Sequence, residues 1–230
     1  MSQQVAREGS RQRCLKLLNK SIPSLISYIR KLEAEIGHLV AKRVSEFEKI
    51  NRMGNARWFS ELCFCILTAN STAELGIRIQ KEIGSGFLYM EREKLEGFLK
   101  NFGHRFWRKR AEFIVNARRF SSIKDVVEPI ARRNPMEARE WIVRNVKGLG
   151  YKEASHFLRN VGYFDLAILD RHILAVMHEY GVLGNLPKSL SRRKYLEIER
   201  KFLELSEMLS MNPGILDLYL WYMRTGKVLK

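Results

Sequence analysis

The chain has 230 residues, 46% hydrophobic and 10% aromatic, enough apolar material for one large domain or two small ones sharing a cleft, and too much for an intrinsically disordered chain. Lys and Arg total 41 against 25 Asp and Glu, a formal net charge of +16, an excess that repels itself unless a polyanion is near, and nucleic acid is the commonest one. The three cysteines, Cys14, Cys63 and Cys65, form no CxxC pair, which argues against a disulfide scaffold and a four-cysteine zinc or iron–sulfur centre.

In chain order, residues 1–20 are polar and charged and lack the apolar core of a secretion signal. From Ser24 to about Ile50 the apolar positions Ile29, Leu32, Ile36, Leu39 and Phe47 recur at helical spacing, with Pro23 suited to the first turn. Further helices are expected over about 57–69 and 73–83, before a Gly84-Ser85-Gly86 break. The run Leu62–Leu67 is too short to span a bilayer. Residues 91–101 read as helical, and Phe106, Phe113 and Ala117 share a face of the next helix. Pro129 and Pro135 bound a short connector. Ala138, Ile142 and Val146 then mark a helix, followed by Gly148-Leu149-Gly150, a helix over 151–161, a stop at Gly162 and a loop to Asp170. Stretches 171–180, 191–209 and 215–223 complete the pattern. No segment alternates with period two, so the expected class is all-α. The expected protein is soluble and cytoplasmic, associated with the nucleoid.

Lys147-Gly148-Leu149-Gly150-Tyr151-Lys152 is a tight two-glycine turn between helices. Its glycines permit positive φ and close backbone approach. The amides after it open a helix whose dipole favours a phosphate. Such a turn holds DNA backbone without reading sequence, although an ordinary αα-hairpin with a glycine cap explains the segment equally well.

The run 148–162 and the following Ala167-Ile168-Leu169-Asp170-Arg171-His172-Ile173-Leu174 resemble the helix-hairpin-helix DNA glycosylases. Within them, the chain is similar to the type-2, archaeal-type 8-oxoguanine DNA glycosylase/AP lyases, over nearly everything from Trp58 to Lys230. The resemblance implies two helical subdomains flanking a DNA-binding cleft. On this chain that means an N-terminal helical segment (1–56) packed on the C-terminal part, a helical subdomain (57–146), the hairpin and catalytic loop (147–174), and C-terminal helices completing a base pocket (175–230).

Lys152 falls in the first turn of its helix, where the positive dipole end disfavours an ammonium and so favours the neutral amine that attack requires. Asp170 precedes a helix whose first amides would cap its carboxylate. It is placed to take the amine's proton or to balance positive charge at C1′. A solvated lysine and a plain N-cap aspartate are the bland readings. The resemblance reverses both, implying that Lys152 is the Schiff-base nucleophile and Asp170 is essential. It further implies that Phe106 and Trp221 sandwich the extruded base, where core aromatics are the alternative. Lys230 is expected to reach the oxidised base with its carboxylate, accepting from the N7–H that guanine lacks, rather than fraying.

Asp217 is either a second acceptor in the pocket or structural. Asn70 either fills the gap left by the flipped nucleotide or caps the helix near Thr72. Gly148, Gly150 and Arg105, the last in the basic, aromatic run His104–Arg110, are candidate DNA contacts. Cys63 and Cys65 read as buried small hydrophobes and His156 as helix packing. No metal or cofactor is required by this chemistry, apart from a monovalent cation that the hairpin could hold. The expected partner is double-stranded DNA containing oxidised guanine, met by a monomer with no membrane role. A glycosylase for another oxidised base, which Lys230 and Trp221 argue against, and a non-catalytic helix-hairpin-helix module are the alternatives.

Overall fold

The computed structural model describes residues 20–230, and within them every regular element is helical. Cys14 and most of the polar N-terminal stretch lie outside the described residues. The first helix, α1 (Ile22–Arg52), opens with a reciprocal cap: Ser21 Oγ accepts from the Ser24 amide, Ser24 Oγ from the Ser21 amide, and Pro23 occupies the first turn. Leu25, Ile29, Leu32, Ile36, Val40, Phe47 and Ile50 form its buried stripe. Leu39, expected in that stripe, is 42% exposed. Helical drift makes Val40, four residues after Ile36, the inward residue instead.

Then follow α2 (Asn55–Thr68), α3 (Ala73–Ile83), the one-turn α4 (Gly86–Tyr89), α5 (Arg92–Asn101) and α6 (Trp107–Ala117). Phe106 was expected on the face of α6 but stands before it, as the N-cap residue. The connector expected between Pro129 and Pro135 is largely helix. Here α7 (Ile123–Arg133) runs through Pro129, and Asn134 alone separates it from α8 (Pro135–Asn145), whose first amides Asn134 caps. Proline inside a helix removes a hydrogen bond. Burial of Ile123, Val127 and Ala131 in the larger core offsets that loss. The remaining helices are α9 (Tyr151–Asn160), α10 (Arg171–Glu179), α11 (Arg192–Leu209) and α12 (Pro213–Thr225).

Most of the apolar residues between Ile50 and Leu166 form one core. A second joins the start of α1 to α10, α11 and α12, and a third packs the middle of α1 on Leu218 and Tyr219 of α12. Helix α9 sits where these meet: Ala154, Phe157 and Leu158 enter the first core while Tyr151 packs on the second. Cys63 and Cys65 are fully buried apolar packing in α2. None of the described helices is long and apolar enough to cross a membrane.

Candidate active site at the hairpin

The turn Lys147–Gly150 joins α8 to α9, with Val146 and Leu149 plugging it into the core. Only one of its glycines needs left-handed freedom. Gly148 has φ +93°, and a Cβ there would lie 2.3 Å from the Phe113 ring. Gly150 has an ordinary extended backbone, φ −95° and ψ −170°. Its amide donates to Glu153 Oε2 at 3.3 Å, so this first amide is already engaged within the chain.

Lys152 is the second residue of α9, three-quarters buried in its side chain, with Nζ 3.2 Å from Glu153 Oε1. Glu153, which the sequence reading passed over, therefore serves both the hairpin amide and the amine. A carboxylate at the third position of a helix is a recognisable capping signal. Asp170 is the N-cap of α10: its Oδ1 accepts from the amides of His172 and Ile173, both at 2.8 Å, which fixes the carboxylate.

Asp217 lies on α12. It is buried, paired with Arg159 Nη1 of α9 at 2.5 Å, and pushed up to about 7, chiefly by burial. Arg159 opposes that push, the Asp170 charge adds to it and the Lys152 charge opposes it, so both candidate catalytic groups lie within electrostatic reach of Asp217. Its carboxylate is committed to Arg159, which favours the structural reading over a free acceptor.

The chain's last segment is pinned. Lys230 is 9% exposed, with Nζ 2.8 and 3.0 Å from the two oxygens of fully buried Glu61 and bonded to Gln80 Oε1. Lys227 pairs with Glu74 at 2.8 Å, and Arg43 donates to the Val228 carbonyl. Burial lowers the Lys230 ammonium from its ordinary value while Glu61 opposes that shift. A lone acid in an apolar helix, Glu61, was the signal for this anchor. His156, one turn after Lys152, is buried as expected, yet its Nε2 has no hydrogen-bond partner. Burial, then Arg159, Lys152 and Lys230, push it well down, so the ring is neutral.

Trp221 is half-buried, edge-on to His172 with ring centroids 6.3 Å apart. Phe106 is half-buried, with the guanidinium groups of Arg105 and Arg110 4.9 and 6.0 Å from its ring centre. No direct contact joins Phe106 to Trp221 among the described aromatic pairs. The basic run divides: Arg105, Arg108 and Lys109 are exposed, while His104 and Arg110 are buried. Asn70 is exposed with φ +58°. It caps nothing, because Thr72 itself caps α3. Among the described residues no three His, Cys, Asp or Glu side chains gather as a metal set.

An all-helical frame presenting a lysine just after a two-glycine hairpin and a capped aspartate one helix later defines a helix-hairpin-helix DNA-processing architecture. Residues 40–211 match the family model described as 8-oxoguanine DNA glycosylase. The chain is 59% identical over 207 residues to the 8-oxoguanine DNA glycosylase/AP lyase of Methanocaldococcus jannaschii, covering 90% of this chain and 99% of that protein. It is 46% identical over 211 residues to the one from Korarchaeum cryptofilum, covering 91% and 99%. The crystal structure of the Methanocaldococcus jannaschii protein in complex with a 15-mer DNA containing 8-oxoguanine superposes with a TM-score of 0.87, covering 90% of this chain and all of that one. The chain belongs to the 8-oxoguanine DNA glycosylase family.

Proposed function

We propose that this protein excises 8-oxoguanine from double-stranded DNA and then cuts the strand at the abasic site, with Lys152 as the nucleophile. The observation that carries the reading is the placement of Lys152 in the first turn of α9, just after the hairpin, with Asp170 fixed one helix later as the N-cap of α10. The name of the similar Methanocaldococcus jannaschii protein, and its complex with lesion-bearing DNA, support the same substrate.

The extruded base enters between Phe106 and Trp221, recovering part of the unstacking energy. A main-chain oxygen of Lys230 accepts from N7–H, where guanine would present an acceptor and be repelled. Asn70 fills the vacated place in the duplex, while the hairpin and Arg105 hold phosphates. Lys152, on giving up a proton, attacks C1′ through Nζ, the C1′–N9 bond breaks, and the base leaves with that electron pair and takes up a proton. The sugar then opens at C1′–O4′, the amine passing a proton to O4′, to give a protonated imine to Nζ. Loss of a C2′ proton expels the 3′ phosphate by β-elimination. Asp170, locked by two amides, takes the amine's proton or balances charge at C1′. No step in this sequence calls on a metal.

Borohydride trapping on a duplex with a single 8-oxoguanine, against a guanine control, tests the reading. A covalent adduct on the lesion duplex alone, absent in Lys152→Gln although that variant still binds DNA, is expected. Full strand cleavage by Lys152→Gln would refute the assigned nucleophile. Salt-dependent binding to both duplexes without any adduct would favour a non-catalytic binding module.

A further inference from the structure

The turn that carries Asn70 is held by two buried polar side chains from one neighbouring segment. His104 is 1% exposed, and its Nε2 lies 2.9 Å from the Leu67 carbonyl oxygen at the end of α2. Its Nδ1 accepts from the Phe106 amide at 3.2 Å. An amide can only donate, so Nδ1 is the bare nitrogen and Nε2 carries the hydrogen that Leu67 accepts. Burial lowers this imidazole from its ordinary value, Arg110 adding to the shift and the Leu67 carbonyl opposing it, in keeping with a neutral ring. Arg110, 6% exposed, donates from Nη2 to the Ala69 carbonyl at 2.5 Å. Its guanidinium also lies 6.0 Å from the Phe106 ring and 5.7 Å from that of Phe113. Phe113 in turn fills the space that a side chain at Gly148 would need.

Two features separate this arrangement from ordinary packing. Arg110 is too buried to hold a phosphate, although it closes a basic run whose other cations are exposed. Both groups, costly to bury, aim donors at carbonyls of one turn, and in that turn Asn70 takes a left-handed conformation that non-glycine residues rarely adopt.

We propose that His104 and Arg110 are positioning residues that clamp the Asn70 turn to the Phe106 loop, so that filling the gap in the duplex and stacking on the extruded base are set by one rigid unit. The proposal rests on the functional reading above, with Asn70 and Phe106 in the roles given there. A break in the clamp leaves the Lys152 chemistry in place but lets the wedge and the stacking ring move independently, so extrusion of an intact base is what suffers.

The test uses His104→Gln, which keeps a donor near Leu67 but loses the Nδ1 acceptor, and Arg110→Lys as an independent second variant. Single-turnover excision on the 8-oxoguanine duplex is expected to fall about tenfold in each, the scale of one lost hydrogen bond. Cleavage of a duplex carrying a preformed abasic site, where no base must be stacked, is expected to fall less than about twofold. The fluorescence rise of a 2-aminopurine beside the lesion should shrink in parallel with excision. In an Asn70→Gly background, where the wedge is already gone, His104→Gln should cost less than about twofold more, because coupled residues are non-additive. Equal losses on both substrates, or an undiminished tenfold loss in the Asn70→Gly background, would overturn the proposal. Wild-type protein inert on 8-oxoguanine would overturn the functional reading and this proposal with it.

Discussion

Glu61→Gln is the sharpest probe of how the end of the chain is held. Glu61 is fully buried and accepts from Lys230 Nζ at 2.8 and 3.0 Å, Arg57 at 2.8 Å, Gln80 at 3.1 Å and Asn160 at 3.2 Å. The amide keeps the shape but presents an NH2 group to a ring of donors. It leaves the Lys230 ammonium with Gln80 Oε1 and the face of Phe64, 4.4 Å away. Removing one member of a buried ion pair costs about 3–5 kcal/mol. Arg57 is partly exposed and regains water, which places the expected loss near the lower figure. At about 2–4 °C per kcal/mol for a chain of this size, Tm should fall by about 6–12 °C. Thermal unfolding followed by circular dichroism reads this directly. The double variant Glu61→Gln/Lys230→Met, which removes both charges, should lie closer to wild type than Glu61→Gln alone. A Glu61→Gln variant within about 2 °C of wild type would refute the reasoning, since ~1 kcal/mol or less could then reside in the anchor. At a temperature where the variant is folded, excision of 8-oxoguanine should drop more than cleavage at an abasic site.

Gly148→Ala meets two obstacles, a φ of +93° and the Phe113 ring 2.3 Å from the new methyl group. It should lose about 1–3 kcal/mol of unfolding free energy and most salt-dependent DNA affinity. Phe113→Ala in the same chain should restore part of the stability but not the part due to φ, and full restoration in a denaturant titration would count against left-handed strain. Asp217, pushed up to about 7 from 3.8, holds a proton in the folded state that the unfolded chain has released between those two values. Its contribution to stability is therefore fully present below 3.8 and lost as pH rises through about 7, by up to ~1.4 kcal/mol per pH unit. Asp217→Asn removes that loss, so the stability of the variant relative to wild type should climb between pH 4 and 7 and level off above. A difference that is flat or falls over that range in urea titrations would contradict the raised value.

The helices were legible because their information is local. The stripe from Ile29 to Phe47, the glycines at 148 and 162, and Asp170 ahead of an apolar run each announce an element through spacing or a cap within a few residues. Pro129 misled for the same reason: a proline is a local stop signal, and only the packing of Val127 and Ala131 carries α7 through it. Phe106 misled by one residue: it stands as the N-cap just before α6, its amide donating to His104 Nδ1.

What local spacing cannot carry is the set of charged side chains that cross between the cores. Arg139 of α8 pairs with Glu199 of α11 at 2.5 and 2.7 Å, Arg159 of α9 with Asp217 of α12, and Glu61 of α2 with Lys230. Their partners lie 60, 58 and 169 positions apart, and nothing in the local spacing of either member names the other. Buried pairs of this kind are weak sources of net stability, yet losing one member of a pair is costly. Their value here is directional. Each pair is satisfied in one relative placement of the helices it joins, and α9, with Lys152 at its start, takes part through Arg159 and through Ser155 Oγ, 3.2 Å from Arg139. The lysine was readable from its place after the glycines. The register of α9, which carries it, against α8 and α12 is set by charges the chain brings together only once it has folded.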